Sequence, residues 1–196
     1  MAKIGFALTS SFCTIDKVLI QMQLMKELGH DVIPIVSPKI IEDDTRFGKG
    51  KEFELKIRAI TEHDLTTTIY GAEKFGPKEP LDVLVVAPAT GNFVSKFSRG
   101  ETDNVVCMAA KATLRNNRPV VIAVSTNDGL GLNGENIMRL YNTKNIYLVP
   151  FGQDDSINKP NSLIAHYDLL IPTIDEALQS KQIQPVLREY EKINKA

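Results

Sequence analysis

A three-layer α/β fold, with helices on both faces of a doubly wound parallel sheet, is what this sequence predicts. Three observations carry that expectation. Short strand-like runs alternate with helix-length segments along the chain. The runs are continuously apolar rather than alternating, as in Val83-Leu84-Val85-Val86, which is the pattern of strands buried on both faces. Several of them end in small hydroxyl- or amide-bearing turns, where open α/β sheets keep their ligands.

The elements follow in order. Lys3–Leu8 reads as the first strand, with Thr9-Ser10-Ser11 directly after it. Thr14–Leu28 reads as a helix, because Val18, Met22 and Met25 share one stripe and Gly29 supplies a stop. Asp31–Val36 is the second strand and completes a right-handed βαβ unit. The polar stretch Lys39–Lys51 reads as a loop, Glu52–His63 as a helix, and Gly71–Pro80 as a connection. Asp82–Ala87 is the third strand, and a helix around Ser95 and Lys96 follows its Pro-Ala-Thr-Gly-Asn turn. Asp103–Leu114 is an Ala-rich helix and Pro119–Val124 the fourth strand. A helix near Gly134–Tyr141 leads to the fifth strand, Ile146–Val149. Phe151–Ser162 is a polar loop long enough for a functional lid, and the tail from about Thr173 carries one or two helices.

Composition bounds the function. The 196 residues are expected to form one domain, 1–196, with a sizeable core. The 23 basic and 24 acidic residues are nearly balanced, which gives no footprint for nucleic acid or a membrane surface. No run of 18 apolar residues occurs, and Met1-Ala2-Lys3 enters a strand rather than a signal peptide, so a cytoplasmic protein is expected. Cys13 and Cys107 suit a reducing compartment. His30, His63 and His166 stand singly, and no metal site is expected.

Four turns carry the candidate chemistry. Thr9, Ser10 and Ser11 stand between a strand end and a helix, where they can hold a phosphate or simply cap the helix. Ser37, at the end of the neighbouring strand, is a ligand contact or a solvated serine before Pro38. In Pro88-Ala89-Thr90-Gly91-Asn92 the small residues let a flat ligand approach the backbone, with Thr90 and Asn92 as hydrogen-bonding groups. Thr102-Asp103-Asn104 is an anion site or a second cap. Gly129-Leu130-Gly131-Leu132-Asn133-Gly134 matches G-x-G-x-x-G, but Ser125-Thr126-Asn127-Asp128 separates it from its strand and it is not in the first βα turn. A Gly-permissive active-site loop is the stronger reading there, with a nicotinamide site as the alternative. Arg46, Lys49 and Lys51 form a charged stretch that could meet an acidic substrate or merely be solvated.

Pro88-Ala89-Thr90-Gly91-Asn92, then Gly100-Glu101-Thr102-Asp103-Asn104, then Asn136-Ile137-Met138 resemble the motifs of the flavin-containing cysteine decarboxylase and flavin prenyltransferase superfamily. Longer runs, among them Thr45-Arg46-Phe47-Gly48, Phe75-Gly76-Pro77-Lys78, Met108–Pro119 and Pro150–Asp155, resemble a branch that supplies one component of a two-component synthase in spore formers. The resemblance spans nearly the whole chain. It implies a flavodoxin-like (Rossmann-like) fold and an FMN crevice. In that crevice Thr9, Ser10 and Ser11 would hold the phosphate, and Ser37, Pro88, Ala89, Thr90 and Asn92 would meet ribityl or ring atoms. Thr102, Asp103 and Asn104 would shape the crevice or a neighbouring protomer, and Ser125 would close it. It also implies a trimer-based homo-oligomer, a separate synthase component that binds NADP, and oxidation of a dihydropyridine dicarboxylate during sporulation. A dianionic substrate favours a basic contact, for which Arg46 is the first candidate.

The sequence departs from the decarboxylases in two places. No histidine stands near Glu73-Lys74, ahead of the third strand, and Ser125-Thr126-Asn127-Asp128 replaces their Pro-x-Met-Asn loop. Both weigh against cysteine-type oxidative decarboxylation. A decarboxylase or prenyltransferase acting alone, and a non-catalytic flavin-binding or scaffold protein, are the alternatives.

Overall fold

The computed structural model describes residues 1–188. Along the chain run β1 (Lys3–Leu8), α1 (Ile15–Glu27), β2 (Asp31–Val36), α2 (Pro38–Glu42), α3 (Gly50–Thr61), α4 (Ile69–Glu73) and β3 (Val83–Ala89). They continue with α5 (Gly91–Ser98), α6 (Val105–Arg115), β4 (Val120–Thr126), α7 (Asn133–Tyr141) and β5 (Ile146–Leu148). The last are β6 (Phe151–Gly152), β7 (Leu163–Ala165) and α8 (Leu170–Leu178).

β1 lies between β2 and β3, β3 pairs with β4, and β4 with β5, all parallel. The order β2-β1-β3-β4-β5 is the flavodoxin-like doubly wound arrangement, whose winding reverses between β1 and β3. Alternate residues of each strand enter two separate cores. Ala7, Leu84, Val86, Val120 and Ile122 pack under α4 to α7. Phe6, Leu8, Val83, Val85 and Val121 pack under α1, α3 and α8. This two-sided burial is why β3 reads as an unbroken apolar run. Gly29, at φ +81°, ends α1 in the left-handed region, the stop expected from sequence.

The structure corrects several expectations. The sheet is mixed: β7 runs antiparallel along Ser125 and Thr126 of β4, and β6 pairs antiparallel with β7. The polar stretch Phe151–Ser162 is thus entered from a strand and left into another, both too short to show a period. Lys39–Lys51 is not wholly a loop, because Pro38 at the first helical position starts α2 and Gly50 starts α3. Gly71–Pro80 is preceded by the start of the short α4, capped by the Thr68 hydroxyl. β3 extends through Pro88 to Ala89 across a register shift after Val86, the kind of irregularity that accommodates a strand proline. The tail helix begins at Leu170, and any second one beyond residue 188 lies outside the described residues. No helix among the described residues is long and apolar enough to cross a membrane.

Candidate functional site

The carboxyl ends of β1 and β3 are tied together by one side chain. Thr9 is buried; its hydroxyl donates to the Pro88 carbonyl at 2.6 Å and accepts the Thr90 amide at 3.0 Å. The Thr9 amide also donates to Pro88, at 3.3 Å. On the other side of β1 the Ser37 amide donates to the Leu8 carbonyl at 3.0 Å, which brings the start of α2 to the same end of the sheet. The hydroxyl turns therefore converge at the β1/β3 switch point.

Two adjacent cavities lie there. The larger, about 520 Å³, is lined by Thr9, Ser37, Lys39, Asn92, Lys96 and Asn104, among others. The smaller, about 270 Å³, is lined by Ser11, Ser125, Asn127, Asp154, Lys159 and Ser162, among others. Ser10 and Thr90 border both.

The smaller cavity is a cluster of hydroxyls. Ser11 Oγ and Ser125 Oγ are 2.9 Å apart, and Thr14 Oγ1 donates to the Ser11 carbonyl at 2.9 Å. Tyr167 is buried behind the same cluster, its phenol beside the Thr14 and Ser125 hydroxyls. Burial pushes the Tyr167 phenol up to about 12, against the pull of the neighbouring Thr14 and Ser125 hydroxyls, so it stays a neutral donor at physiological pH. α5 points its amino end at both cavities, and the first-turn amides of a helix have no intrahelical acceptor.

Thr90 and Asn104 are caps as well as wall residues. Thr90 Oγ1 accepts the Phe93 amide at 3.4 Å, and Asn104 Oδ1 accepts the Cys107 amide at 2.9 Å. Ser37 does not cap α2, which leaves its hydroxyl to the crevice, whereas Ser11 Oγ also accepts Thr14 Oγ1 at 3.2 Å. Pro88 and Ala89 are buried in β3 and shape the crevice through their backbone. Asp103 faces Lys96, whose ammonium holds its carboxyl below the usual range; neither Asp103 nor Thr102 lines either cavity.

Arg46 is not brought to the crevice. It is exposed on the Thr45–Gly48 turn, with its guanidinium 4.8 Å from the Phe47 ring centre. The basic groups at the crevice are instead Lys39, Lys96 and Lys159, which sequence reasoning missed. Ser37-Pro38 was the available signal for Lys39, since Pro at the first position starts a helix over the crevice. Tyr167 gave no signal, because only the β6–β7 hairpin returns it beneath β4.

The glycine stretch after β4 is a packed turn. Asp128 accepts from Asn133 Nδ2 at 3.0 and 2.8 Å and from the Thr126 hydroxyl. Burial works against the Asp128 carboxylate, but these donors prevail and hold it below its ordinary value. The Leu130, Gly131 and Gly134 amides are engaged by Asn161, Asp128 and Gly131 carbonyls, so they form no phosphate cradle.

Neither cavity is lined by a histidine. His63 Nε2 is 2.7 Å from Asp31 and His30 accepts the Ala2 amide, both at the amino ends of strands, opposite the crevice. His166 lines a separate depression with Lys17 and Asp168. Burial pushes the Cys107 thiol up to about 11, which keeps it unreactive. No group of His, Cys, Asp and Glu among the described residues could hold a metal ion.

Residues 1–160 match the family model described as Flavoprotein. The chain is 51% identical over 187 residues to the dipicolinate synthase B chain of Bacillus subtilis (strain 168), covering 95% of this chain and 94% of that protein. The crystal structure of the corresponding B chain of dipicolinate synthase from Bacillus halodurans C is 53% identical, with a TM-score of 0.89 over 96% of both chains. An FMN-dependent cysteine decarboxylase, 18% identical, shares the fold with a TM-score of 0.60 over 91% of this chain and 96% of its own. The two-cavity crevice thus sits in a chain that belongs to the Flavoprotein family, in its branch of dipicolinate synthase B subunits.

Proposed function

We propose that this chain is the flavin-binding component of a two-component dipicolinate synthase, acting in the cytoplasm of a sporulating cell. The observation that carries the reading is the Thr9 hydroxyl linking Pro88 and Thr90, which opens a donor-lined crevice at the switch point of the sheet. The residues present fit FMN. The smaller cavity offers the Ser10, Ser11 and Ser125 hydroxyls and the amino end of α5, a donor set suited to a phosphate. The larger cavity offers Ser37, Thr90, Asn92 and Asn104 to ribityl and ring atoms.

FMN, when bound, supplies a planar group able to exchange one or two electrons. The chain's own residues bind and orient. Ser11 and Ser125 would hold the anionic end, Thr90 and Asn92 would offer hydrogen bonds to the ring, and Phe93 and Val106 give the larger cavity an apolar wall. Aromatising a dihydropyridine dicarboxylate removes a hydride and a proton. In this reading the hydride leaves to oxidised NADP on the companion component, the synthase's A subunits, the proton leaves to solvent, and the present chain assembles as a homo-oligomer built on trimers. The crevice without histidine weighs against a decarboxylase acting alone.

The test is an assay of the purified chain with FMN, with and without the NADP-binding component and NADP. Dipicolinate formation that requires both components supports the reading. Turnover by this chain alone would support a decarboxylase- or prenyltransferase-like enzyme. Full activity of the NADP-binding component alone would reduce this chain to a scaffold.

A further inference from the structure

We infer that Lys39 is the cation that recognises a carboxylate of the substrate at the larger cavity. The inference rests on the proposed synthase role and adds the residue that selects the substrate's charge.

A dicarboxylate carried into a crevice needs a counter-charge there, because an unpaired carboxylate loses its hydration at a large cost. Two lysines line the larger cavity, Lys39 from α2 and Lys96 from α5. They are not equivalent. Lys96 is hydrogen-bonded to Asp103, which cancels much of its charge and fixes its ammonium. Lys39 makes no ion pair among the described residues, and its exposed side chain can swing over the opening.

The backbone aims α2 at the crevice. Ser37 hydrogen-bonds to Leu8 at the end of β1, Pro38 starts the helix at once, and Ile40 is buried beneath it. Lys39 is therefore held above Ser37 and Thr9 by a fixed element, not by a loop. Because β1 lies between β2 and β3, α2 and α5 flank the β1 end from two sides. An acid entering between them meets Lys39 on the α2 wall of the cavity. Glu42 lines the same cavity one turn further along α2, and its charge opposes a bound anion. The smaller cavity's lysine, Lys159, already lies 3.6 Å from Asp154.

The probe is pyridine-2,6-dicarboxylate, titrated calorimetrically and through perturbation of the flavin absorbance of the FMN-loaded chain. Lys39→Gln is expected to weaken dicarboxylate binding about tenfold or more, the size of a lost charge-assisted contact, with FMN affinity within about twofold of wild type. Lys39→Arg should recover most of the affinity, and Glu42→Gln should exceed wild type. Pyridine-2,6-dicarboxamide, which has the same shape without charge, should bind both Lys39 forms alike. Wild-type dicarboxylate affinity in Lys39→Gln, or a matching loss in Arg46→Ala, would overturn the inference. So would an equal fall in FMN affinity, which would assign Lys39 to the flavin. A wild-type chain that takes no FMN contradicts the flavin reading alone. The calorimetric titration of the free chain then still decides the role of Lys39.

Discussion

The Thr9 hydroxyl donates to the Pro88 carbonyl at 2.6 Å, a contact between residues 79 apart in sequence that joins the ends of two neighbouring strands. The same oxygen accepts the Thr90 amide, so one side chain serves both polar groups at the irregular end of β3. A mixed donor and acceptor is needed there, which only a hydroxyl supplies at this size.

Thr9→Val keeps the shape and removes both bonds. Leaving buried polar groups without these partners is expected to cost roughly 2–4 kcal/mol, read as a lowered urea midpoint. Flavin affinity should fall with it, whereas Thr9→Ser should stay close to wild type in both.

Gly91 opens α5 where the turn after β4 presses against it. An added Cβ would stand 2.6 Å from both Asn133 Nδ2 and Thr126 Oγ1. Ala is ordinarily the better helix former by about 1 kcal/mol, so a stabilised Gly91→Ala would show that this approach is looser than it looks. Destabilisation of about 1–3 kcal/mol, as for overpacked sites, is the expected result from thermal unfolding.

Tyr167→Phe separates structure from binding. The phenol is buried beside the Thr14 and Ser125 hydroxyls, so deleting its oxygen should lower the melting temperature by no more than a few degrees. If the phenol fixes Ser125 for a bound phosphate, FMN affinity should fall several-fold in the same variant. A parallel loss of both would make Tyr167 a packing residue.

The Asp128 network gives the stability a pH dependence. The folded-state pKa of Asp128 lies below its ordinary value because the Thr126 and Asn133 donors outweigh burial. A depressed carboxylate stabilises the fold above its unfolded pKa of about 3.9 and loses that contribution as pH falls through the folded value. The stability difference between wild type and Asp128→Asn should therefore be constant above about pH 5. It should shrink below about pH 4, measured by denaturant unfolding across that range.

The strands β1 and β2 are legible to the residue, because apolar runs buried on both faces have sharp polar ends. The convergence of Thr9, Ser37, Thr90 and Asn92 is legible too, since strand order alone brings those turns together. What the sequence hides depends on short or long-range features. β6 and β7 have two and three residues, too few for periodicity. Asp103 has the look of a ligand and is instead the partner of Lys96. Arg46 is favoured by its charge alone, and only the structure puts Lys39 over the crevice in its place.

Titration of FMN into the purified chain, followed by quenching of flavin fluorescence, tests the central claim most directly. Saturable binding is expected, with riboflavin at least about tenfold weaker because it lacks the phosphate that the Ser10, Ser11 and Ser125 cluster would hold. Fluorescence that remains that of free FMN throughout, or equal binding of FMN and riboflavin, would contradict the assignment of the crevice.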